Sequence, residues 1–196
     1  MNNLIIIGAG GHAISCIDVI LSTNKYKIYG IIDKNKNPIE DFKYLGGDEV
    51  LPNYFNKCKR AFIGIGQIKS FDKRIKIFEK LKKYKFKIPK VISPKSSISN
   101  FSSIEEGSII MHQSHIGPQV KIGKNCIINT SAVIEHGSNI EDFCHISTNV
   151  TLNGEVKIGK GSFIGSGTII KEGIKIPPFS FIKMGSIVTK NISKNE

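Results

Sequence analysis

From Ile92 to Val188 every sixth residue is a branched aliphatic: seventeen positions, fifteen of them Ile, with Leu152 and Val188 completing the register. The residue four places further on is small at most repeats, as at Ser96, Ser108, Cys126, Ala132, Ser162 and Thr168, with Ile174 the bulky exception. Neither the helical period of 3.6 nor the strand period of two produces this spacing. A six-residue repeat predicts a β-helix, in which each hexad forms a flat side and a corner and three hexads close a triangular coil with the aliphatic side chains inward. Residues eighteen apart in sequence then lie one above another, in coils paired as parallel strands roughly 4.8 Å apart. Gly123, Asn125, Gly159, Gly161, Gly165 and Gly167 are expected to supply tight corners and positive φ.

The first ninety residues carry a different pattern. An apolar run, Asn3 to Ile7, ends in Gly8-Ala9-Gly10-Gly11-His12-Ala13, and Ile14, Ile17, Val19 and Leu21 follow at helical spacing. Strand, Gly turn and helix in that order let a phosphate approach backbone N–H groups at a helix start. A second strand, Ile28 to Ile32, ends at Asp33, in the place where dinucleotide-binding folds put an acidic residue. A third strand over Ala61 to Ile65, a helix over Phe71 to Tyr84 and a last strand over Phe86 to Ile92 then exhaust the segment. About half a Rossmann fold is present, which suits one nucleotide attached to something else better than NAD. Gly64-Ile65-Gly66-Gln67, at the end of the third strand, is expected to line the same crevice. The alternative is a tight turn without a ligand.

Charge divides the chain in the same place. The net charge is +12, and residues 1–90 hold 18 Lys/Arg against 8 Asp/Glu, while residues 91–196 hold 10 against 8. Lys73, Arg74, Lys76, Lys80, Lys82 and Lys83 interleave with apolar residues at helical spacing, which reads as a solvated helix face. No nucleic-acid motif accompanies it, so the excess suits anionic small molecules. No apolar run is long enough for a membrane span and Leu4 to Ile7 is too short for a signal-peptide core, so a cytoplasmic location is expected. Cys16, Cys58, Cys126 and Cys144 show no redox or metal spacing, and Cys126 and Cys144, eighteen apart, are expected to stack as packed thiols.

Four of the five histidines lie in the repeats: His112, His115, His136 and His145. His136 falls two places after Ile134, outside both inward classes, so it is expected at a corner or on the outer surface. A neutral imidazole is a natural general base for acyl transfer. Glu135, Glu141, Asp142 and His145 share its coil region. His112 and His115 are expected at the surface or at a trimer contact. With no nucleophilic Ser or Cys motif, direct transfer from a bound acyl donor is the simpler chemistry. No cluster shows recognisable metal spacing, and His136 with Asp142 and His145 is the one metal set left open.

Taken together, Gly8-Ala9-Gly10-Gly11-His12, Gly64-Ile65-Gly66, Ile128-Asn129-Thr130-Ser131, Val133-Ile134-Glu135-His136, Phe143-Cys144-His145-Ile146-Ser147 and Val156-Lys157-Ile158-Gly159-Lys160 resemble the bacterial sugar acyltransferases. These join a small nucleotide-binding domain to a left-handed β-helix, and include UDP-4-amino-sugar N-acetyltransferases and sialic acid O-acetyltransferases. The resemblance implies an α/β Rossmann-like nucleotide-sugar-binding domain over 1–90 and a left-handed parallel β-helix of hexapeptide repeats over 91–196. It further implies an acetyl-CoA-dependent enzyme acting on a UDP-linked 4-amino sugar in glycan biosynthesis. Alternatives are O-acetylation of a sialic-acid-like sugar and a non-catalytic trimeric sugar-nucleotide-binding protein.

By the same resemblance His136 is the general base, Asn129 positions the sugar, and Gly11, His12, Asp33, Lys34 and Gly66 hold the nucleotide. His145 lies beside the acetyl group or pantetheine of the acyl donor, and the Gly154 N–H faces the developing oxyanion. No metal takes part, and neither nucleic acid nor a membrane is a partner. A homotrimer places each site between two prisms. The chain departs from the pattern twice. A carboxylate commonly follows the catalytic His, where here Gly137 stands, so the orienting role passes to a group such as Glu135, Glu141 or Asp142. After Thr189-Lys190-Asn191 there is no Gly-x-Pro-Ala segment of the kind that helps cover coenzyme A.

Overall fold

A computed structural model describes residues 1–35, 39, 41–68 and 70–192. The first part is a four-stranded parallel sheet in the order β3-β2-β1-β4, with β1 over Asn2–Ile7, β2 over Tyr26–Ile32, β3 over Tyr44–Gly46 and β4 over Ala61–Ile63. Helix α1 (Gly11–Ser22) follows β1, the short α2 (Leu51–Tyr54) precedes β4, and α3 (Asp72–Lys83) follows it. Strands β1 and β4 are almost wholly apolar because both faces of the sheet are covered. Gly64, at the end of β4, allows α1 to approach: a Cβ there would stand 3.0 Å from that of Ala13.

Two expectations change here. The last strand, Phe86 to Ile92, is instead a single bridge between Arg60 and Lys87, and Val91–Ile92 already belongs to the coils. Strand β3 and helix α2 were not anticipated, since their apolar residues are too few to show a period. The basic helix is also not uniformly solvated. Lys73, Lys76, Lys82 and Lys83 are exposed, but Arg74 is 1% exposed.

From Val91 onward the described residues form two-residue strands in three parallel sheets of six, six and five strands. Each strand pairs with the one eighteen residues away, as Ile128 does with Ile110 and Ile146. The three faces begin at Val91–Ile92, Ser97–Ile98 and Ser103–Ile104, and are called here faces one, two and three. The inward aliphatics and small residues form one continuous core that includes Ile110, Ile128, Ile146, Ile164, Cys126 and Cys144. Both cysteines are free thiols.

Corners recur at the third residue after each inward aliphatic, and most take a left-handed conformation: Gln119 (φ 60°), Asn125 (51°), Gly137 (69°), Glu155 (63°) and Gly167 (70°) are examples. Gly123 serves a different purpose. It is not at positive φ, but a Cβ there would stand 2.7 Å from the Asp142 nitrogen of the next coil.

The outward column of face one explains how the two parts join. Stepping by eighteen, it reads Val91, Ile109, Ile127, His145, Phe163 and Phe181. The first three are buried against Ala13, Cys16, Ile17 and Ile20 of α1. Polar ties reinforce the seam. Arg74 donates from Nη1 to the Ile65 carbonyl at 2.5 Å and from Nη2 to the Asn125 carbonyl and Oδ1 at 2.6 and 2.7 Å. His112 is neither free surface nor an open contact: its Nε2 lies 2.9 Å from Asp18 Oδ2 on α1 and its Nδ1 lies 2.6 Å from Ser93 Oγ. No helix among the described residues is long and apolar enough to cross a membrane.

Because Ile146 is fully buried in the coil core, Ile146→Ala should lower the unfolding free energy by about 2–5 kcal/mol. Lys121→Ala, at an exposed position, should stay within about 0.5 kcal/mol. Urea denaturation followed by circular dichroism checks both.

Candidate functional site

Two adjoining cavities open along the seam, and His12 and Gly66 line both. The first, about 420 Å³, lies over the carboxyl ends of β1, β2 and β4, with Gly8 to Gly11, Asp33, Gly64 and Lys73 in its walls. Helix α1 starts there at Gly11 with free backbone N–H groups pointing outward, the arrangement that favours an anion. Asp33 braces this turn, since its Oδ2 accepts from the Ala9 N–H at 2.9 Å and its Oδ1 from the Asn35 N–H at 3.0 Å. Gly11, His12, Asp33 and Gly66 are thus brought together. Lys34 is exposed and stands outside both cavity walls; Lys73, from the first turn of α3, lines the first cavity instead.

The second cavity, about 680 Å³, lies between the loop after β4 and the outward side of face one, with Asn129, His145, Phe163, Phe181 and Lys183 in its walls. The aromatics form a ladder. His145 meets Phe163 edge-on at 5.1 Å between centroids, and Phe163 stacks on Phe181 at 5.1 Å. Both phenylalanines were legible as the residues eighteen and thirty-six beyond His145. Gln67, expected to line the crevice, lines this cavity, and its tie to His145 was not anticipated. Its Nε2 donates to the Phe143 carbonyl at 2.8 Å, and its own carbonyl accepts from His145.

The hydrogen bonds fix the His145 tautomer. His145 Nδ1–H donates to the Gln67 carbonyl at 2.5 Å, so its Nε2 is the acceptor for the Asn129 amide at 3.3 Å. Asn129 Oδ1 accepts from the Thr130 N–H at 2.8 Å, so Asn129 holds His145 and its own loop together. Burial, opposed by the Gln67 carbonyl and aided by the Arg74 charge, lowers the His145 pKa to about 4. Burial, then Arg74 and His145, lowers that of His12 to about 3. Burial pushes the Cys16 thiol up to about 12, so it stays protonated, with its Sγ within hydrogen-bond distance of His12 Nε2 at 3.3 Å.

His136 stands elsewhere. It is exposed at the corner between faces two and three, which does not border face one, and it lines neither cavity. The next coil places Gly154 directly beneath the imidazole: a Cβ there would stand 2.6 Å from Cε1 and 2.7 Å from Nε2. The Gly154 N–H makes no backbone hydrogen bond among the described residues. Glu141 and Asp142 do not reach this ring. Glu141 Oε2 accepts from the Lys160 N–H and Asp142 Oδ1 from the Lys124 N–H, both at 2.7 Å, at another corner. His136, Asp142 and His145 are therefore apart, and among the described residues no group of three or more His, Cys, Asp and Glu is arranged to hold a metal ion.

A parallel β-helix with a nucleotide-sized crevice docked on one face defines a hexapeptide-repeat transferase. Residues 3–81 match the PglD N-terminal domain, residues 101–136 the bacterial transferase hexapeptide repeats, and residues 155–190 the hexapeptide repeat of succinyl-transferase. A PglD-type N-terminal domain followed by hexapeptide-transferase repeats is the arrangement of the sugar acyltransferases with a left-handed β-helix, and the chain is an acyltransferase. A variant of perosamine N-acetyltransferase from Caulobacter crescentus, in complex with CoA and GDP-perosamine, is 25% identical, with 98% of this chain and 90% of that chain covered and a TM-score of 0.92. PerB from Caulobacter crescentus, with the same two ligands, is 26% identical over 98% and 91% of the two chains, with a TM-score of 0.92. The acetyltransferase domain of PglB from Neisseria gonorrhoeae, in complex with acetyl coenzyme A, shares the fold at 23% identity, covering 100% and 95%, with a TM-score of 0.93.

The two desolvated imidazoles set a pH dependence. Unfolded, each takes up a proton near 6.5; folded, not until about 4 for His145 and about 3 for His12. The unfolded chain therefore binds more protons in between, and stability should fall as pH drops from about 6.5 toward 4. Denaturant titrations across that range should show the slope flattened in His145→Gln; an unchanged slope contradicts the assignment.

Proposed function

We propose that the chain is an acetyl-CoA-dependent N-acetyltransferase acting on a nucleotide-linked, UDP-type 4-amino sugar in the cytoplasm. The observation that carries this reading is the pair of cavities joined through His12 and Gly66. One end offers backbone N–H groups and Lys73 to a diphosphate. The other offers an apolar wall with a few fixed polar groups, as a sugar with its hydroxyls partly replaced requires. In this reading residues 1–90 hold the nucleotide through Gly11, His12, Asp33 and Gly66, and residues 91–196 carry the transfer, with Asn129 and His145 beside the reacting groups. Perosamine is an amino sugar, and the Caulobacter crescentus enzyme holds it as the GDP derivative together with CoA.

His136 is the general base. Its neutral imidazole takes a proton from the sugar amine as the nitrogen attacks the thioester carbonyl. The N–H of Gly154 supports the tetrahedral oxyanion. Collapse breaks the C–S bond, the amide forms, and the departing CoA sulfur takes the proton from the imidazolium. Since His136 lies on a corner away from face one, the site is completed between chains: the corner of one prism faces the cavities of its neighbour in a homotrimer.

CoA release with UDP- and GDP-linked 4-amino sugars and with free nonulosonic acids tests the reading. Nucleotide-linked amino sugars should support turnover, UDP best, and His136→Ala should lose about 10²–10⁴-fold in kcat/KM. No CoA release with any nucleotide-linked amino sugar, or normal turnover by His136→Ala, overturns it.

A further inference from the structure

An imidazole acts well as a base when one ring nitrogen is held by an acceptor and the other presents its lone pair. Among the described residues the His136 ring has no hydrogen-bond partner. Of the carboxylates in its coil region, Glu141 and Asp142 are committed to backbone N–H groups at a different corner. Glu155 is placed otherwise. Its backbone N–H donates to the His136 carbonyl at 2.8 Å, so it is tied directly beneath the residue it would serve. It is exposed and occupies a left-handed corner, φ 63°, one coil beyond Gly137 at φ 69°. Its stem crosses the space over that glycine: Glu155 Cγ lies 3.3 Å from the position of a Cβ on Gly137. A side chain at 137 would compete for this space.

We infer that Glu155 is the positioning residue for His136, its carboxylate accepting from one ring nitrogen while the other takes the proton of the substrate amine. This rests on the functional reading above. The glycine at 137 and the glutamate at 155 then form one device: the first leaves room for the second, and the orienting carboxylate arrives from the next coil. Glu155 bonds no substrate atom and moves no proton itself.

The test is steady-state CoA release by wild type, His136→Ala, Glu155→Gln, Glu135→Gln, Glu155→Ala and Gly137→Asp/Glu155→Ala, with the ring nitrogen NMR signals of His136 as a second readout. Glu155→Gln should lower kcat about tenfold or more and leave the KM for the nucleotide sugar unchanged. Gly137→Asp should restore activity to Glu155→Ala, because Asp tolerates the left-handed corner and the glutamate stem no longer fills the space. The His136 signals should shift toward a mixture of tautomers in Glu155→Gln. Normal turnover by Glu155→Gln alongside an inactive His136→Ala overturns the inference and leaves the functional reading standing, as does the loss appearing in Glu135→Gln instead. A wild type that releases no CoA overturns both.

Discussion

The inward Ile register is the constraint on which the rest of the molecule depends. Because one aliphatic in every six is buried, three hexads must close one coil, and every outward side chain acquires a neighbour eighteen residues away. A core packed this continuously leaves little freedom to slide by a residue, since a slip would turn the whole column of aliphatics to solvent. The register therefore does more than support a surface. It sets His145, Phe163 and Phe181 in one column, puts Gly154 under His136, and brings Glu155 over Gly137.

The seam with the first domain adds an electrostatic layer. Arg74 is buried without a carboxylate partner among the described residues; Nη1 and Nη2 are bonded to carbonyls and the Asn125 side chain, while Nε has no partner among them. Burial lowers its pKa only to about 10, so the charge persists at neutral pH. Desolvation, together with that cation, keeps His12 and His145 neutral, and His145 serves as a fixed donor and acceptor. In the functional reading proposed above, the diphosphate is read by charge at one end and the sugar by shape at the other.

Much of the architecture was legible because the repeat is long and strict. The three faces, the stacked thiols of Cys126 and Cys144, and the outward position of His136 all follow from counting. The ladder of Phe163 and Phe181 was equally countable, and so was Arg74, which lies in line with Ile77, Phe78 and Leu81 on the apolar stripe of its helix. Other features had no such signal. Gln67 acts through its backbone carbonyl, and Glu141 and Asp142 are drawn away by main-chain N–H groups, interactions that leave no period in the sequence. The short β3 and α2 escaped for the same reason. Gly11, His12, Asp33 and Gly66 were legible as one neighbourhood and line the first cavity together, while Lys34 is exposed outside its walls and Lys73 lines them.

The central claim is that base and cavities, held on separate sides of one rigid prism, meet only between chains. Mixed oligomers of two inactive variants test it most directly. His136→Ala chains keep their cavities, and Gly11→Asp chains keep His136 while placing a carboxylate where the diphosphate should sit. Co-expressed, the two should recover a substantial part of the wild-type acetyl transfer, because some junctions pair an intact corner with an intact cavity. Mixed oligomers no more active than either parent would contradict the account.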